Sequence, residues 1–569
     1  MTTLDPADLY ERHRDLLDRA LTALVSREYW SPFPESPSKS VYGETAARDG
    51  EAAFRAHLDK PFEIDVPGAR DRVRTERSPY GFDLGVSYPR STPDALVTAA
   101  RAALPGWRDV GPHGRAGIAV EILRRLNARS FEIAHAVQHT TGQSFVMAFQ
   151  AGGTHAQDRA LEAVAVAFAE SVRLHGPARW EKPQRGGDPL TMDKTFTVVP
   201  RGVALMIGCN TFPTWNGYPG LFASLVTGNP VVVKPHPGAV LPLAITVQVA
   251  REVLAEAGQD PNVVTLAVEE PGEGIAATLA TDPRVKVIDF TGSSEFGNWL
   301  EHNARQAVVY TEKSGLNTVV VDSTDDYKGL LRNLAFSLSL YSGQMCTTPQ
   351  NLLVPAGGID TDAGHKSVDE FGADLAGAVG KLLGDPARAA GTLGAIVNDG
   401  VKSRLDEAPG YGSVLLASQP VQDAANPDAT IRTPLILRLA AGDEKVYTSE
   451  WFGPISFLIT TESTDDGLRI FRETVQRHGA LTASVYSTSP EVIDAAREAA
   501  LSAGVHLSEN LTGGVFVNQT AAFSDLHGTG ANPAATAAYA DSAFVTGRFF
   551  VLQSRRHAAP AEAGAAASA

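Results

Sequence analysis

Cysteine is scarce in this sequence. Only Cys209 and Cys346 occur among 569 residues, so a framework of disulfide bonds is excluded. Few thiols are typical of proteins of the reducing cytoplasm, where thiol chemistry is more often catalytic than structural. We therefore expect a cytoplasmic protein and treat each thiol as a candidate for chemistry.

Long apolar runs and an excess of basic charge are also lacking. No segment approaches the roughly 18 consecutive apolar residues of a membrane span, and the N-terminus lacks the apolar stretch of a secretory signal. The 49 Lys and Arg residues are outnumbered by 65 Asp and Glu, and the formal charge of −16 opposes binding to nucleic-acid phosphates. The composition predicts a soluble protein of several domains without nucleic-acid or membrane partners.

The glycine-rich dinucleotide fingerprint is missing as well. No G-x-G-x-x-G segment follows an apolar run, so a nucleotide would have to bind through another motif. We also expect no metal site among the 14 histidines.

The spacing of apolar residues changes along the chain. Leucines at helical spacing predict a helix over 4–27, a stretch rich in Pro and Gly predicts an irregular extension over 28–90, and helical segments continue to about residue 174. Beyond Gly176, short Val-rich runs alternate with helical segments, as in parallel strands covered by helices on both faces. We predict an α/β fold with two doubly wound units, the second over about 307–505.

One strand-to-helix turn is a candidate phosphate site. An apolar strand ends at Gly292, and a helix begins after Ser293, within Asp-Phe-Thr-Gly-Ser-Ser-Glu-Phe-Gly. Free backbone N–H groups and the helix dipole attract an anion at such a start. The alternative is an ordinary Gly-Ser turn, which this segment alone does not exclude.

Four side chains stand in positions that suit catalysis. Cys346 lies among small and polar residues, where it is either a thiolate nucleophile or a buried structural thiol. Glu312 ends a Val-rich strand and is a candidate general base. Asn210 follows a buried strand and could donate to an oxyanion, and Glu450 precedes an aromatic pair and a Gly-Pro turn.

Taken in order, these segments resemble one family, the aldehyde dehydrogenases, over about residues 90–555. Cys346 follows Glu312 by 34 residues, the separation usual in that family. The long N-terminal extension is most similar to the phenylacetate-degradation (PaaN-like) subgroup. The matching blocks are 210–213, 228–235, 290–297, 312–315, 343–346 and 450–454.

The resemblance implies a role for each matched residue. Cys346 would attack the aldehyde to form a thiohemiacetal and then a thioester, with Asn210 holding the oxyanion and Glu312 activating the hydrolytic water. The aldehyde would be a semialdehyde of aromatic or phenylacetate catabolism, which could carry coenzyme A. The implied cofactor contacts are Lys234, His236, Gly292, Ser293, Glu450 and Phe452.

The resemblance also bears on the choice between NADP and NAD. NAD-specific members often place an acid three residues after the lysine, where it repels a 2′-phosphate. That position is Pro237 here, and Lys234 and His236 could attract the phosphate. We therefore expect either cofactor to be used, with NADP slightly favoured.

Other activities remain open from sequence. A dehydrogenase that releases acyl-CoA is one alternative, although such relatives tend to lack a glutamate at the position of Glu312. A thioesterase or hydrolase that uses Cys346 without redox chemistry is another, and a non-catalytic scaffold is a third. The substrate loop over 523–533 resembles the family pattern only loosely, so the sequence does not name the aldehyde.

The family fold implies an organisation for the chain. It comprises two doubly wound α/β domains and a small β oligomerisation arm, in a homodimer or dimer of dimers. Any hydratase that the pathway needs would be a separate protein. We expect an N-terminal extension (1–90), a cofactor-binding domain (91–310, with an arm hairpin at 190–201), a catalytic domain (311–505), a return to the cofactor domain (506–556, with an oligomerisation strand at 543–553) and a disordered tail (557–569).

Overall fold

The computed structural model describes residues 4–558, so most of the expected tail lies outside the described residues. Up to Leu174 the described chain is mainly helical. A π-helical turn (Ala148–Thr154) precedes the last of these helices, and two short strands, β1 (Asp71–Val73) and β2 (Tyr88–Arg90), pair antiparallel. The helices are α1 (Pro6–Ser26), α2 (Lys39–Tyr42), α3 (Ala46–His57), α4 (Pro93–Asp109), α5 (Gly111–Ala128), α6 (Ser130–Thr141), α7 (Phe145–Met147) and α8 (His155–Leu174).

The helix boundaries follow from capping residues. Asp5 accepts a hydrogen bond from Ala7 N at the start of α1, and Thr92 accepts one from Ala95 N at the start of α4. Leu9 and Leu17 of α1 are fully buried in the same core as the helices that follow. The N-terminal extension is therefore packed onto the body, and it contains α2 and α3 where the sequence predicted irregular chain.

The first large sheet has five parallel strands in the order β7-β6-β5-β8-β9. Such sheets bind ligands beyond the carboxyl ends of their strands, where the strand order reverses. Here that point lies between β5 and β8. The strands are β5 (Val203–Ile207), β6 (Val231–Lys234), β7 (Val264–Leu266), β8 (Val285–Gly292) and β9 (Val308–Lys313), and the helices are α9 (Pro213–Val226), α10 (Leu241–Glu256), α11 (Ile275–Thr281) and α12 (Ser294–Asn303), with a 3₁₀ turn at Pro261–Val263.

The second large sheet has seven strands in the order β15-β18-β19-β12-β10-β20-β21, all parallel except for the edge strand β15. Val319 and Val320 of β10 belong to cores on opposite faces, so the sheet is covered on both sides. Its strands are β10 (Thr318–Val321), β12 (Asn351–Pro355), β15 (Ser413–Leu416), β18 (Leu435–Ala440), β19 (Ile455–Thr461), β20 (Thr482–Tyr486) and β21 (His506–Glu509).

Helices and short strands surround this sheet. The small strands are β11 (Ser323–Thr324), β13 (Ile359–Thr361), β14 (Gly364–Lys366), β16 (Pro420–Val421) and β17 (Ile431–Arg432). The helices are α13 (Tyr327–Ser339), α14 (Val368–Leu382), α15 (Pro386–Leu393), α16 (Asp399–Glu407), α17 (Glu444–Tyr447), α18 (Thr464–His478) and α19 (Pro490–Ala503), with 3₁₀ turns at Leu340–Gly343 and Ala408–Tyr411.

A third, antiparallel sheet joins β3 (Gly176–Gln184), β4 (Gly187–Pro200) and β22 (Phe549–His557). The hairpin is longer than the predicted 190–201. The C-terminal strand, expected over 543–553, begins only at Phe549, because Asp541 caps a short helix, α20 (Ser542–Thr546), through Phe544 N. Within residues 4–558, no helix combines the length and apolarity needed to cross a bilayer.

Candidate active site

Cys346 follows a turn of left-handed backbone. Tyr341, Ser342 and Gly343 have φ angles of 52°, 49° and 63°. Non-glycine residues adopt this region only when the surroundings hold them there. Ser342 Oγ donates to Leu393 O (3.1 Å), and a Cβ at Gly343 would lie 2.3 Å from the backbone oxygen of Gly453. The turn is therefore fixed by contacts on several sides.

The carboxylate of Glu312 meets the thiol of Cys346. One ligand atom each of Glu312, Cys346 and His527 lie within 4.8 Å of one another. His527 Nε2 is 3.0 Å from Glu312 Oε1, and Asn216 Nδ2 donates to the same oxygen at 2.9 Å. The hydroxyl of Tyr539 donates to Glu312 as well. The fold thus brings the thiol of Cys346 and the carboxylate of Glu312 into contact.

The surroundings shift the pKa values of both groups. Burial raises the pKa of Glu312. The charge of His527 and the hydrogen bonds from His527, Tyr539 and Cys346 together lower it by more than burial raises it, so the pKa lies below its ordinary value. Burial and the nearby Glu312 carboxylate raise the pKa of Cys346 well above that of a free thiol. At neutral pH an ionised acceptor therefore stands beside a protonated thiol.

Cys346 lines a cavity of about 660 Å³. This volume is in the range of small-molecule sites. Asn216, Trp215 and Phe212 line the cavity near the thiol, and Tyr29 and Val515 line it elsewhere. The nucleophile is therefore reachable by a small molecule.

Asn210 is not brought into this cluster. Its amide Nδ2 donates to Thr140 O at 3.1 Å, and Asn210 does not line the cavity. Asn216, the next asparagine of the segment, lies on α9 and donates its amide to Glu312. Asn216 is thus the side-chain amide that accompanies Cys346, a residue that the sequence analysis did not select.

Lys234 lies at the carboxyl end of β6, where it forms a buried ion pair with Glu269. Glu269 follows β7 and also accepts a hydrogen bond from Ile275 N (2.8 Å). The reasoning that favoured NADP assumed that no acid stands near Lys234 because position 237 is proline. That assumption is wrong, because the neighbouring strand supplies the acid.

His236 is not a cation at this site. Its side chain keeps an exposed edge, and its Nδ1 accepts a hydrogen bond from Gly238 N at 3.1 Å. Desolvation by the surrounding turn, together with the charge of Lys234, lowers the pKa of His236 to about 4. A neutral imidazole does not supply the charge that the sequence analysis expected for a 2′-phosphate.

The remaining predicted cofactor residues stand at two further positions. Gly292 ends β8, and Ser293 caps α12 by accepting from Phe296 N (3.3 Å). The exposed Glu450 accepts a hydrogen bond from Ser314, and Phe452 O accepts one from Arg404 Nε (2.9 Å). Phe452 is half-buried against the core of the second sheet.

This donor set fits a dinucleotide. Lys234 and the carboxylates of Glu269 and Glu450 are hydrogen-bonding groups for ribose hydroxyls. Ser293 starts a helix of ten residues, whose first backbone N–H groups suit a pyrophosphate. The residues of the chain are therefore compatible with a nicotinamide dinucleotide.

Two groups have the chemistry of metal ligands. His135 and His139 lie four residues apart on α6, a pair that the sequence analysis overlooked, and both rings stack on Phe54. The second group is Glu312, Cys346 and His527. Among residues 4–558 it is the one group of three metal-ligating side chains close enough to share an ion, and its members already contact one another.

Four site residues were missed in the sequence. Asn216 and Tyr539 have no motif of their own, His527 lies in the loosely matching substrate loop, and Glu269 lies 35 residues beyond Lys234. Of these four residues, only Glu269 could have been predicted from the sequence, because side chains that follow neighbouring parallel strands meet at one edge of the sheet.

A thiol in contact with a carboxylate, at the wall of a cavity and beside a doubly wound sheet, suits an enzyme that uses a cysteine and a nucleotide. The model of the aldehyde dehydrogenase family matches residues 87–524. The chain belongs to the aldehyde dehydrogenase family and is an NAD(P)-using enzyme of that family, with the family's α/β fold.

Individual relatives agree with this assignment. A crystal structure of an NAD-dependent aldehyde dehydrogenase from Burkholderia multivorans is 61% identical, with a TM-score of 0.96, and the match covers 97% of this chain and 99% of that one. N-succinylglutamate 5-semialdehyde dehydrogenase from Chromobacterium violaceum is 29% identical over 70% of this chain and 77% of its own length. Vanillin dehydrogenase from Pseudomonas fluorescens is 25% identical over 76% of this chain and 85% of its own.

Proposed function

We propose that this aldehyde dehydrogenase oxidises an aldehyde to the free carboxylic acid through a covalent intermediate on Cys346, with NAD⁺ as the acceptor. The observation that carries the proposal is the contact between the Cys346 thiol and the Glu312 carboxylate at the wall of an accessible cavity. Glu312 is the group that an enzyme releasing free acid needs, because hydrolysis of a thioester requires a base for water.

The residues of the chain supply the acylation steps. The thiol proton of Cys346 passes to Glu312 as Sγ forms a bond with the carbonyl carbon. The backbone N–H of Cys346 and the amide of Asn216 hold the oxygen, which carries negative charge. Lys234, Ser293 and Glu450 would hold a nicotinamide dinucleotide, which would supply the hydride acceptor for oxidation of the thiohemiacetal to the thioester.

Release of the acid uses the same carboxylate. Once Glu312 has lost its proton to solvent, it removes a proton from water, and the hydroxide attacks the thioester carbon. The C–S bond then breaks, and the sulfur of Cys346 leaves as a thiolate that takes up a proton. Each turnover thus converts aldehyde, NAD⁺ and water into acid, NADH and a proton.

We assign the cofactor preference to NAD⁺. Glu269 stands at Lys234, where a carboxylate accepts hydrogen bonds from ribose hydroxyls and repels a 2′-phosphate. The neutral His236 adds no compensating charge. The NAD-dependent enzyme of Burkholderia multivorans supports this assignment by its overall similarity.

The decisive experiment follows NADH at 340 nm over a panel of aldehydes, with product analysis with and without coenzyme A. The wild type should form free acid in both conditions. Glu312→Gln should slow both the first formation of NADH and the later turnover, because it removes the acceptor of both protons, whereas Cys346→Ala should form no NADH. Acyl-CoA as the main product would establish the acylating alternative, and thioester hydrolysis without any NADH would establish the non-redox thiol hydrolase.

We further propose that the substrate is a semialdehyde of aromatic or phenylacetate catabolism, in the cytoplasm. The long N-terminal extension supports this assignment through its resemblance to the phenylacetate-degradation subgroup. A hydratase of the pathway would act as a separate protein, and a substrate bound to coenzyme A is compatible with the open cavity. Loss of growth on phenylacetate after deletion of the gene would support this role, and unimpaired growth would contradict it.

We propose a homodimer, or a dimer of such dimers, that forms through the three-stranded sheet. Phe550 and Leu552 of β22 are 50% and 58% exposed, and paired large apolar side chains of this kind mark interfaces. In this arrangement the first sheet binds the cofactor, the second sheet carries Cys346, and the three-stranded sheet joins the subunits. Light scattering of the wild type and of a Phe550→Asp, Leu552→Asp variant tests this, since only the variant should be monomeric.

A further inference from the structure

The cavity at Cys346 is built in part by the N-terminal extension. Tyr29, Trp30, Ser31 and Glu35 contribute to its wall, together with residues from α8 and from the 514–527 segment. The sequence analysis gave the extension no function. Its place in the cavity wall raises the question of which part of a substrate it would contact.

The extension is held firmly against the body at this wall. Ser31 Oγ donates to Asp158 Oδ2 at 2.8 Å, and Glu35 pairs with His155 at 2.7 Å, both on α8. The ring of Trp30 packs edge-on against Phe523, 4.9 Å between centroids. This wall is therefore a fixed surface.

Exposed apolar side chains stand around the opening of the cavity. Tyr29, Val146 and Val515 line it, and their exposed fractions are 74%, 55% and 63%. Three large apolar side chains from three separate segments thus meet water around one opening. Behind Val515, the rings of Phe336 and Phe516 lie 4.2 Å apart. Such a rim gains from covering by an apolar group that extends out of the cavity.

The ionisable groups of the cavity offer no free positive charge. Among the described lining residues, Arg159 pairs with Glu162 (2.8 Å), and His155 and His527 each lie beside a glutamate. Arg159 is also 1% exposed. The acids Asp158 and Asp525 line the same space without a basic ion-pair partner. A carboxylate on the substrate would therefore lose its hydration without gaining a free cationic partner.

We propose that the N-terminal extension forms the outer half of the substrate site, and that this site selects an aldehyde whose aromatic or extended apolar body carries no charge inside the cavity. The inference rests on the proposed function. The aldehyde carbon lies at Cys346, the apolar body fills the cavity, and its far end contacts Tyr29 and Val515. Any charged group of the substrate lies beyond the rim.

The test compares kcat/KM for acetaldehyde, hexanal, 3-phenylpropanal and succinic semialdehyde. Each added methylene that becomes buried should raise kcat/KM about fourfold. We expect 3-phenylpropanal to exceed acetaldehyde by at least about a hundredfold, and succinic semialdehyde to be the poorest of the larger aldehydes. Succinic semialdehyde equal to or better than 3-phenylpropanal would overturn the proposal.

Matched variants locate the effect in the extension. Tyr29→Ala should raise KM for 3-phenylpropanal about three- to tenfold, in line with the apolar area removed. Val25→Ala is the control, since Val25 belongs to the same extension and is 86% exposed but does not line the cavity. Equal kinetics of these two variants would contradict a substrate contact by the extension.

Binding without turnover separates this inference from the proposed chemistry. Calorimetric titration of the Cys346→Ala enzyme with 3-phenylpropanal and with succinic semialdehyde should show binding of the first at least tenfold tighter. If the wild type oxidises no aldehyde but this difference in binding is observed, the proposed function fails and the inference stands. If oxidation occurs but the difference is absent, only the inference fails.

Discussion

At the scale of single residues, the site is organised around the carboxylate of Glu312. Asn216, His527 and Tyr539 approach it from three different parts of the chain, and the thiol of Cys346 completes its surroundings. A buried carboxylate stays ionised only when such partners offset the loss of hydration. His527 is a positioning residue in this arrangement, because it acts on the reaction through Glu312.

Replacement of His527 should change the pH dependence of the reaction. In His527→Asn, Glu312 loses the charge that lowers its pKa, so its pKa rises. Since Glu312 must be ionised to accept a proton, the acid limb of kcat/KM against pH should move upward by about one unit. Alkylation of Cys346 by iodoacetamide across pH gives a second readout. An unmoved acid limb with only a lower kcat would show that His527 has a merely structural role.

Glu269 should control the choice between the two dinucleotides. Glu269→Gln keeps the size of the side chain but removes the charge that repels a 2′-phosphate. We expect NADPH to bind at least about tenfold tighter than to the wild type, with a smaller change for NADH. Fluorescence titration of the free enzyme measures both affinities. Glu270→Gln, at the exposed neighbouring acid, is the control and should leave the ratio of the two unchanged.

Only some of the site residues could be predicted from the sequence. Cys346 and Glu312 are recognisable because short motifs surround each of them. His527 and Tyr539 reach Glu312 only through the path of the chain after β21, which no local pattern specifies. Asn210 was selected because it stands in the motif, but its amide donates to Thr140 O, a contact that the motif does not specify.

At the scale of elements, the alternation of Val-rich strands and helices predicted both large sheets, since buried parallel strands are apolar along their whole length. The order of the strands within each sheet and the antiparallel direction of β15 depend on long-range packing, so they could not be predicted from the sequence. The C-terminal segment was misplaced for a local reason. Residues 542–546 are apolar enough for a strand, but Asp541 caps them as a helix.

The contact between α6 and the extension should weaken in mild acid. Desolvation, together with the charges of His135 and Arg55, lowers the pKa of His139 from 6.5 to about 4 in the folded protein. The folded state therefore favours neutral His139, and up to roughly 3 kcal/mol of stability is lost as pH falls from about 6.5 towards 4. The protection factors of amide hydrogen exchange in residues 46–90, which correct for the intrinsic effect of pH on the rate, should fall over this range.

A matched variant isolates this effect. His139→Gln retains an acceptor for the Ser78 hydroxyl, which lies 3.0 Å from Nδ1, but it does not titrate. Its protection factors over 46–90 should change less between pH 7 and pH 4.5 than those of the wild type. The same loss of protection in both proteins would assign the acid sensitivity to other groups.

At the scale of the whole molecule, one buried ion pair fastens the C-terminal strand to the first sheet. Arg548 is fully buried, donates to both oxygens of Asp289 (2.6 and 2.7 Å), and stacks on Tyr310 and Phe544. The same residue lies directly before β22. Arg548 thus joins the core of the first sheet to the three-stranded sheet.

Loss of Arg548 should destabilise this junction. Arg548→Ala leaves Asp289 buried without a partner, which costs about 3–5 kcal/mol, and the apparent melting temperature should fall. Arg556→Ala is the control on the same strand, because Arg556 is exposed and its pair with Asp193 spans 3.6 Å. Equal melting temperatures for the two variants would contradict an anchoring role of Arg548.

The close approach of Gly343 to Gly453 couples the loop that carries Cys346 to the loop that carries Glu450 and Phe452. The backbone oxygen of residue 453 occupies the volume that any side chain at 343 would need. The loop bearing the nucleophile and the loop bearing Glu450 and Phe452 therefore have to shift in concert. An alteration confined to one loop should be detectable as a change in the reactivity or affinity that belongs to the other.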